Sequence, residues 1–260
     1  MKSELKVALI QSNLIWENPE QNRINFTNKI SAILESVDLI ILPEMFNSGF
    51  TMNPGHVAET MTGDTVSWMQ KLAQLKKAAV TGSIVIKENE HYYNRLLFVY
   101  PNGIIEYYDK KHTFTLAGEH NAYTAGSNLL TVNYLGWKIC PLVCYDLRFP
   151  VWARNTNDYD VLLYVANWPK VRIAAWDILL KARAIENMTY CIGVNRVGLD
   201  ANDHEYSGNS GAYDVLGTRM DSIPLDKETT EIVTLKKEHI SKYREKLGFL
   251  NDRDLFSLKV

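Results

Sequence analysis

The strongest constraint on the fold of this chain is an alternation between short apolar runs and segments with helical periodicity. Continuous apolar runs at residues 39–42 and 161–166 are typical of strands that are buried on both faces, and a third strand is predicted at 137–143. Helices are predicted at 65–77 and 174–187. This alternation predicts an α/β fold in which helices and sheets form layers.

The same patterns predict the remaining elements. Asn18 followed by Pro19 is typical of a helix start, and a charged helix is predicted at 236–246. Further strands are predicted at residues 6–11, 80–86, 95–100, 104–108, 129–133, 190–196 and 231–235.

Composition indicates one domain and excludes several classes of protein. The 260 residues are 46% hydrophobic, and no linker or repeat interrupts them, so we expect a single domain over 1–260 with a C-terminal tail at about 240–260. A net charge of −2 argues against a nucleic-acid partner. The apolar runs are too short for a membrane span, and three cysteines make no disulfide framework. With no secretory signal, the expected location is the cytoplasm.

Polar residues follow three of the predicted strands directly. Glu44 comes after the strand at 39–42, Cys144 after 137–143, and Asn167 after 161–166. In α/β folds, residues beyond the carboxyl ends of buried strands form the binding crevice. We therefore expect these residues to meet at one site.

Cys144 is the candidate nucleophile. A thiol at a strand exit is partly exposed and lies near free backbone N–H groups, which favour the thiolate. A helix is expected to begin soon afterwards, near Phe149. The alternative is a structural cysteine, which is the interpretation for Cys140 and Cys191 inside apolar strands.

Glu44 and Lys110 are the candidate partners of the thiol. A carboxylate that follows a wholly apolar strand is costly to bury alone, so Glu44 needs a partner and is a candidate base. Lys110 lies between aromatic residues and could stabilise an oxyanion. The alternatives are a solvent-facing carboxylate and a solvated lysine loop.

Three separated motifs resemble, in order and spacing, the catalytic motifs of the nitrilase superfamily: LPEMF at 42–46, YDKKH at 108–112 and CYDLRFP at 144–150. The resemblance extends to ARAIEN at 182–187 and SGNSGAYDVLG at 207–217. It implies a four-layer α-β-β-α sandwich of two mixed sheets. One position departs from the family, because Asp109 stands where arginine is usual, and we expect it to have a different salt-bridge partner.

The resemblance implies a role for each catalytic candidate. Glu44 would be the general base, Lys110 the oxyanion stabiliser and Cys144 the nucleophile. Glu119 resembles a second carboxylate placed against the lysine, with a surface glutamate as the alternative. The backbone N–H of Tyr145 would be a further oxyanion donor.

No cofactor or metal is expected for this chemistry. A zinc site could be assembled from four residues, Cys140, Cys144, His112 and His120. However, a lone Cys-x-x-x-Cys without a second close pair is a weak zinc-binding pattern.

Within the superfamily, the chain looks most like the bacterial omega-amidase branch, on GF at 49–50 and NWP at 167–169 among other segments. Its members hydrolyse the terminal amide of 2-oxo acid amides such as 2-oxoglutaramate and 2-oxosuccinamate. The carboxylate of such a substrate needs a cation, for which Arg172 is the candidate, with Lys170 or Arg148 as alternatives.

The pocket walls and the assembly state follow from the same resemblance. Phe46, Phe114 and Trp168 are candidate walls of the pocket, although each could equally belong to the core. A homodimer is expected, through helices such as the one predicted after Phe149.

Other functions remain open at this point. The chain could be an aliphatic amidase, a carbamoylase or a nitrilase. It could be a papain-like thiol hydrolase with His112 or His120 as the base, or a non-catalytic binding protein on the same fold.

Overall fold

The computed structural model describes residues 2–258. Thirteen strands occur in this part of the chain: β1 Glu4–Gln11, β2 Leu39–Ile41, β3 Ala79–Glu88, β4 His91–Val99, β5 Ile105–Asp109, β6 Val132–Tyr134, β7 Trp137–Val143, β8 Val161–Ala166, β9 Tyr190–Asn195, β10 Val197–Leu199, β11 Glu205–Ser207, β12 Gly211–Tyr213 and β13 Thr229–Lys236. The α-helices are α1 Pro19–Ser31, α2 Pro54–Val57, α3 Asp64–Lys76, α4 Glu119–Ala122, α5 Ile173–Asn187 and α6 Lys237–Leu247. Short 3₁₀ helices cover Thr115–Ala117, Cys144–Arg148, Lys170–Arg172 and Phe249–Asp252.

The strands form two mixed sheets and one small hairpin. The first sheet has the order β13-β1-β2-β3-β4-β5, and the second has the order β12-β9-β8-β7-β6. Each has a parallel centre, β1-β2-β3 in the first and β7-β8-β9 in the second, with antiparallel strands outside it. The hairpin pairs β10 with β11.

The two sheets pack face to face, and helices cover their outer faces. Side chains of β1 alternate between layers, so that Leu9 packs toward the second sheet while Ile10 packs under α1 and α3. On the other side, Trp176 of α5 and Ile240 of α6 pack against the second sheet. The predicted four-layer α-β-β-α sandwich is therefore confirmed.

One local prediction about the chain is wrong. No helix begins directly after Phe149, because residues 150–153 form turns, and the backbone of a residue that precedes a proline disfavours the α conformation. The charged helix predicted at 236–246 is present as α6, which overlaps the start of the tail predicted at about 240–260. Residues 259 and 260 of the predicted tail lie outside the described residues.

The start of α1 matches its sequence signal. The Asn18 side chain accepts a hydrogen bond from the Gln21 backbone N–H at 3.0 Å, and Pro19 is the first helical residue.

None of the helices formed by residues 2–258 has the length and hydropathy that crossing a bilayer requires.

Candidate active site

Cys144 follows β7 and begins a 3₁₀ helix with its backbone in the left-handed region, at φ +43°. A residue with a side chain pays a steric cost there, so the surrounding structure must hold this conformation. Met45, the residue after Glu44, has φ +42°. Both strand exits that carry candidate catalytic groups are therefore sharp, strained turns.

Glu44 and Glu119 clamp the ammonium group of Lys110. Lys110 Nζ donates to Glu44 Oε1 at 2.9 Å and to both oxygens of Glu119, at 3.0 and 2.9 Å. Both carboxylates are fully buried, so Glu119 is not a surface residue. Desolvation opposes the charge on the lysine, but the two carboxylates outweigh it and raise the pKa of Lys110. The lysine therefore stays an ammonium group.

The thiol of Cys144 lies next to this cluster. Desolvation raises the pKa of Cys144 well above its ordinary value, and the neighbouring Glu44 raises it further, whereas Lys110 lowers it. Burial therefore favours the protonated thiol, against the effect that was expected of the nearby backbone N–H groups. A thiol of this kind needs a base to remove its proton.

Asn167, the first residue after β8, holds Glu44 in place. Its backbone N–H donates to Glu44 Oε2 at 2.8 Å, and its side-chain Nδ2 donates to the Glu44 backbone oxygen at 2.5 Å. The exits of β2 and β8 are thus joined, although they belong to different sheets. The sequence predicted that these residues would meet.

Asp146 joins the segment around Lys110 to the segment around Cys144. Its buried carboxylate accepts hydrogen bonds from the Tyr108 hydroxyl at 2.8 Å, from the His112 backbone N–H at 3.0 Å and from the Val143 backbone N–H at 3.0 Å. It also pairs with His112 Nδ1 at 2.8 Å. The sequence alone indicates no role for Asp146, because two of its partners, Tyr108 and His112, are more than thirty positions away in the chain.

Neither candidate histidine base is placed against the Cys144 thiol: His112 is paired with Asp146, and His120 is exposed. The His112 ring stacks on Phe149, with centroids 3.6 Å apart and planes within 4°, in addition to its bonds with Asp146. His120 is exposed. The groups that face the Cys144 thiol are Glu44 and Lys110, which argues against the papain-like alternative.

Asp109 has the changed salt-bridge partner that its departure from the family predicts. Arg95 of β4 lies opposite Asp109 of β5 in the sheet and binds it through Nε at 2.7 Å and Nη2 at 2.9 Å. Arg95 also reaches Glu88 at 3.0 Å. The pair lies on the strands just before Lys110 and leaves the lysine free to turn inward.

A cavity of about 600 Å³ opens above Cys144. Its walls include Phe114 and Trp168, and each carries a guanidinium group over its ring: Arg172 lies 5.1 Å from the Phe114 centroid, and Arg148 lies 4.8 Å from the Trp168 centroid. Tyr145 lines the cavity beside Cys144.

Two other predicted site residues lie outside the cavity lining. Phe46 is fully buried and packs edge-on against Phe26 at 5.5 Å, in the layer between the helices and the first sheet. Its prediction as a pocket wall is wrong, because it turns into the core directly after the exit of β2. Lys170 is exposed and pairs with Glu205 and Asp226 at 3.5 and 3.6 Å.

A cysteine at a strained strand exit, next to a lysine and two buried carboxylates in an α-β-β-α sandwich, matches the arrangement that the resemblance to the nitrilase superfamily implies. The family model for carbon-nitrogen hydrolase matches residues 6–245. The chain belongs to this family, and it is a hydrolase that acts on carbon–nitrogen bonds other than peptide bonds.

Sequence and structure comparisons show that the chain is similar to several known proteins of that family. It is 42% identical to omega-amidase YafV of Yersinia enterocolitica, over 98% of this chain and 99% of the relative. It is 32% identical to a 2-oxoglutaramate amidase of Bacillus subtilis, over 81% and 83%. The crystal structure of XC1258 from Xanthomonas campestris, a CN-hydrolase superfamily protein with an arsenic adduct in its active site, matches with a TM-score of 0.96 and 38% identity, over 99% of this chain and 100% of that one.

Proposed function

We propose that this protein hydrolyses the terminal amide of small 2-oxo acid amides, such as 2-oxoglutaramate and 2-oxosuccinamate, to the acid and ammonia. The observation that carries the proposal is the Lys110 ammonium clamped between Glu44 and Glu119 beside the Cys144 thiol, beneath a cavity that contains two arginines. The similarity to an omega-amidase and to a 2-oxoglutaramate amidase supports the choice of substrate.

The first half of the reaction forms a thioester. Glu44 accepts the thiol proton as Cys144 Sγ attacks the amide carbon, and a carbon–sulfur bond forms. Lys110 Nζ and the Tyr145 backbone N–H stabilise the oxygen that becomes negative. The tetrahedral intermediate then breaks its carbon–nitrogen bond, and the proton held by Glu44 passes to the leaving nitrogen, which departs as ammonia.

The second half regenerates the thiol. Glu44 accepts a proton from water as the water oxygen attacks the thioester carbon. The carbon–sulfur bond breaks, the proton returns to Sγ, and the acid leaves. Glu119 holds Lys110 in place throughout, because its two oxygens accept hydrogen bonds from two of the three ammonium N–H groups. The third N–H, which donates to Glu44 Oε1 in the free enzyme, turns to the oxyanion when Glu44 takes up the thiol proton.

Arg172 is the proposed partner of the substrate carboxylate. Its guanidinium group lies against the cavity wall, and within residues 2–258 no acidic side chain lies within salt-bridge distance of it. Arg148, over the Trp168 ring, also lies at the cavity and has no acidic side chain within salt-bridge distance in residues 2–258. A guanidinium group without an acid partner in a cavity favours an anionic ligand, because it can bind a carboxylate with two parallel hydrogen bonds.

The test of the function is an ammonia-release assay with purified protein. We expect 2-oxoglutaramate and 2-oxosuccinamate to be hydrolysed with much higher kcat/KM than propanamide, an N-carbamoyl amino acid or an aliphatic nitrile. A preference for any of the last three would replace this proposal with aliphatic amidase, carbamoylase or nitrilase activity respectively.

Replacement of Arg172 by leucine should lower kcat/KM for 2-oxoglutaramate at least about thirtyfold, because loss of one partner of a desolvated charge pair costs about 2 kcal/mol or more. The neutral propanamide should change less than about threefold, since its reaction needs only Cys144, Glu44 and Lys110. Lys170→Leu serves as the matched control, because that cation already has acidic partners outside the cavity lining. An unchanged preference in Arg172→Leu would transfer the role to Arg148.

Activity should survive exhaustive EDTA treatment and disappear after alkylation of the thiol with iodoacetamide. The proposed mechanism gives every electrostatic role to Lys110, Glu44 and the Tyr145 N–H, and it contains no Lewis acid. Ammonia release measured before and after each treatment checks this. Loss of activity in EDTA that added zinc restores would require a metal-based mechanism instead.

We also propose that the protein is a homodimer. The outward side of α5 exposes Ile178 and Ile185, and the tail exposes Leu255, which leaves apolar surface available for a second copy. Light scattering after size-exclusion chromatography, which gives the mass in solution, tests this.

A further inference from the structure

Asn94, in the middle of β4, contacts three of the candidate catalytic residues. Its backbone oxygen accepts a hydrogen bond from the Lys110 backbone N–H at 3.0 Å. Its side-chain Nδ2 donates to Glu44 Oε1 at 2.8 Å and to Glu119 Oε1 at 3.3 Å. The side chain is 1% exposed, so these contacts are screened from solvent.

The contacts of Asn94 close a ring of four polar atoms. Glu44 Oε1 and Glu119 Oε1 each bind the same two nitrogens, which are Lys110 Nζ and Asn94 Nδ2. The amide oxygen of Asn94 receives no hydrogen bond from residues 2–258, so the side chain contacts the two carboxylates through its nitrogen alone. An amide nitrogen has two N–H groups and no charge. It can therefore donate one hydrogen bond to each of the two carboxylates.

The charges in this ring do not balance. Two fully buried carboxylates face a single ammonium group, and both desolvation and their mutual repulsion favour uptake of a proton. In agreement, desolvation is the largest cause that raises the pKa of Glu119, with Glu44 a further cause. Neutral donors to the charged oxygens oppose this uptake without adding a second cation.

We propose that Asn94 is a positioning residue that ties Glu44 to Glu119 through its two amide N–H groups and thereby keeps this buried pair of carboxylates unprotonated, and able to serve the reaction, down to a lower pH. The proposal deepens the amidase function proposed above and rests on it. The titratable groups that face Glu44 are Lys110 after β5, Glu119 on α4 and Cys144 after β7, with Tyr123 at the end of α4 beside Glu119.

The direction of the pH effect follows from the chemistry of the base. A base works only when it is unprotonated, so kcat/KM rises with pH through the acid limb of its profile. Removal of a donor to the carboxylates makes them easier to protonate. The acid limb should therefore move to higher pH when Asn94 is replaced.

The experiment compares kcat/KM for 2-oxoglutaramate as a function of pH in wild type, Asn94→Leu and Asn94→Ser. Leucine has a similar volume and no hydrogen-bond donor, and we expect a shift of the acid limb by about one pH unit or more. Serine keeps one O–H donor, which can serve only one carboxylate, so its shift should be smaller and in the same direction.

The matched control is Asn155→Leu. Asn155 is equally buried, and its Nδ2 also donates to two oxygens, those of Tyr159 and Asn187, both at 3.0 Å, but none of its partners is catalytic. This variant should lose stability and leave the acid limb unmoved. An acid limb that stays in place in both Asn94 variants, or one that moves equally in Asn155→Leu, would overturn the proposal.

A second readout does not depend on turnover. Infrared titration of the C=O band of protonated carboxyl groups should show, in Asn94→Leu relative to wild type, a carboxyl group that takes up its proton at higher pH. If wild type hydrolyses no amide, the proposed function is wrong, and this measurement still decides the role of Asn94. If wild type is active and the infrared titrations coincide, the inference about Asn94 alone fails.

Discussion

Replacement of Cys144 by alanine should lower ammonia release from 2-oxoglutaramate by at least about four orders of magnitude, the scale seen when a hydrolase loses its nucleophile. Every step proposed for the reaction passes through Sγ, and no other described thiol lies at the cavity, since Cys140 and Cys191 are buried in the second sheet. The fold should survive, because Cys144 is only partly buried and alanine meets the same backbone strain at φ +43°.

The matched control is Cys140→Ala, which makes the same substitution at a cysteine four residues earlier in the chain. Cys140 lies inside β7 with no exposed surface, so Cys140→Ala should cost about 1 kcal/mol or more of unfolding free energy and leave turnover per folded molecule nearly unchanged. Single-turnover rates and urea unfolding separate the two effects. Persisting hydrolysis by purified Cys144→Ala, or an acyl adduct found by mass spectrometry on another residue, would contradict the assignment.

The strand exits that carry Glu44 and Cys144 could be recognised from sequence for a physical reason. A polar side chain directly after a wholly apolar strand either faces solvent or belongs to a site, and both possibilities place it at the strand end. The length and periodicity of the apolar runs fix that position locally. The resemblance to the superfamily then added the expected role of Glu119 and supported the one expected of Lys110.

The supporting contacts could not be recognised, because they depend on how strands pair. Asn94 looks like an ordinary polar residue at the edge of the predicted strand at 95–100. Its importance arises because its Nδ2 reaches Glu44, fifty positions away, and Glu119, twenty-five positions away. The ion pair between Arg95 and Asp109 could not be recognised for the same reason, since the two residues lie opposite each other only in the observed β4–β5 register.

The errors near the site also have local causes. Phe46 was a candidate pocket wall from the resemblance, with the core as its alternative, and the turn at Met45, with φ +42°, sends its side chain into the layer beneath α1 and α3. The predicted helix after Phe149 rested on the segment FPVW at 149–152, which contains Pro150. The preceding segment instead closes a 3₁₀ turn, in which the Phe149 N–H donates to the Asp146 oxygen at 3.0 Å.

Replacement of Lys110 by alanine should reduce the chemical step at least about a hundredfold, the usual scale for the loss of an oxyanion donor. It should also destabilise the fold by about 3–5 kcal/mol, because two buried carboxylates lose the cation that they share. Rates must therefore be expressed per folded molecule, with the folded fraction measured by near-ultraviolet circular dichroism.

Lys111→Ala is the matched control for this loss, since it removes the same side chain from the next residue. The Lys111 ammonium group lies 5.8 Å from the centroid of the Trp152 ring, outside the carboxylate cluster, so we expect little change in rate or stability. The contrast tests the direction of each side chain, because neighbouring residues diverge and only one can face the site. Equal loss of activity in the two variants would mean that the oxyanion is stabilised by another group, and the clamp of Glu44 and Glu119 on Lys110 would then be a structural feature alone.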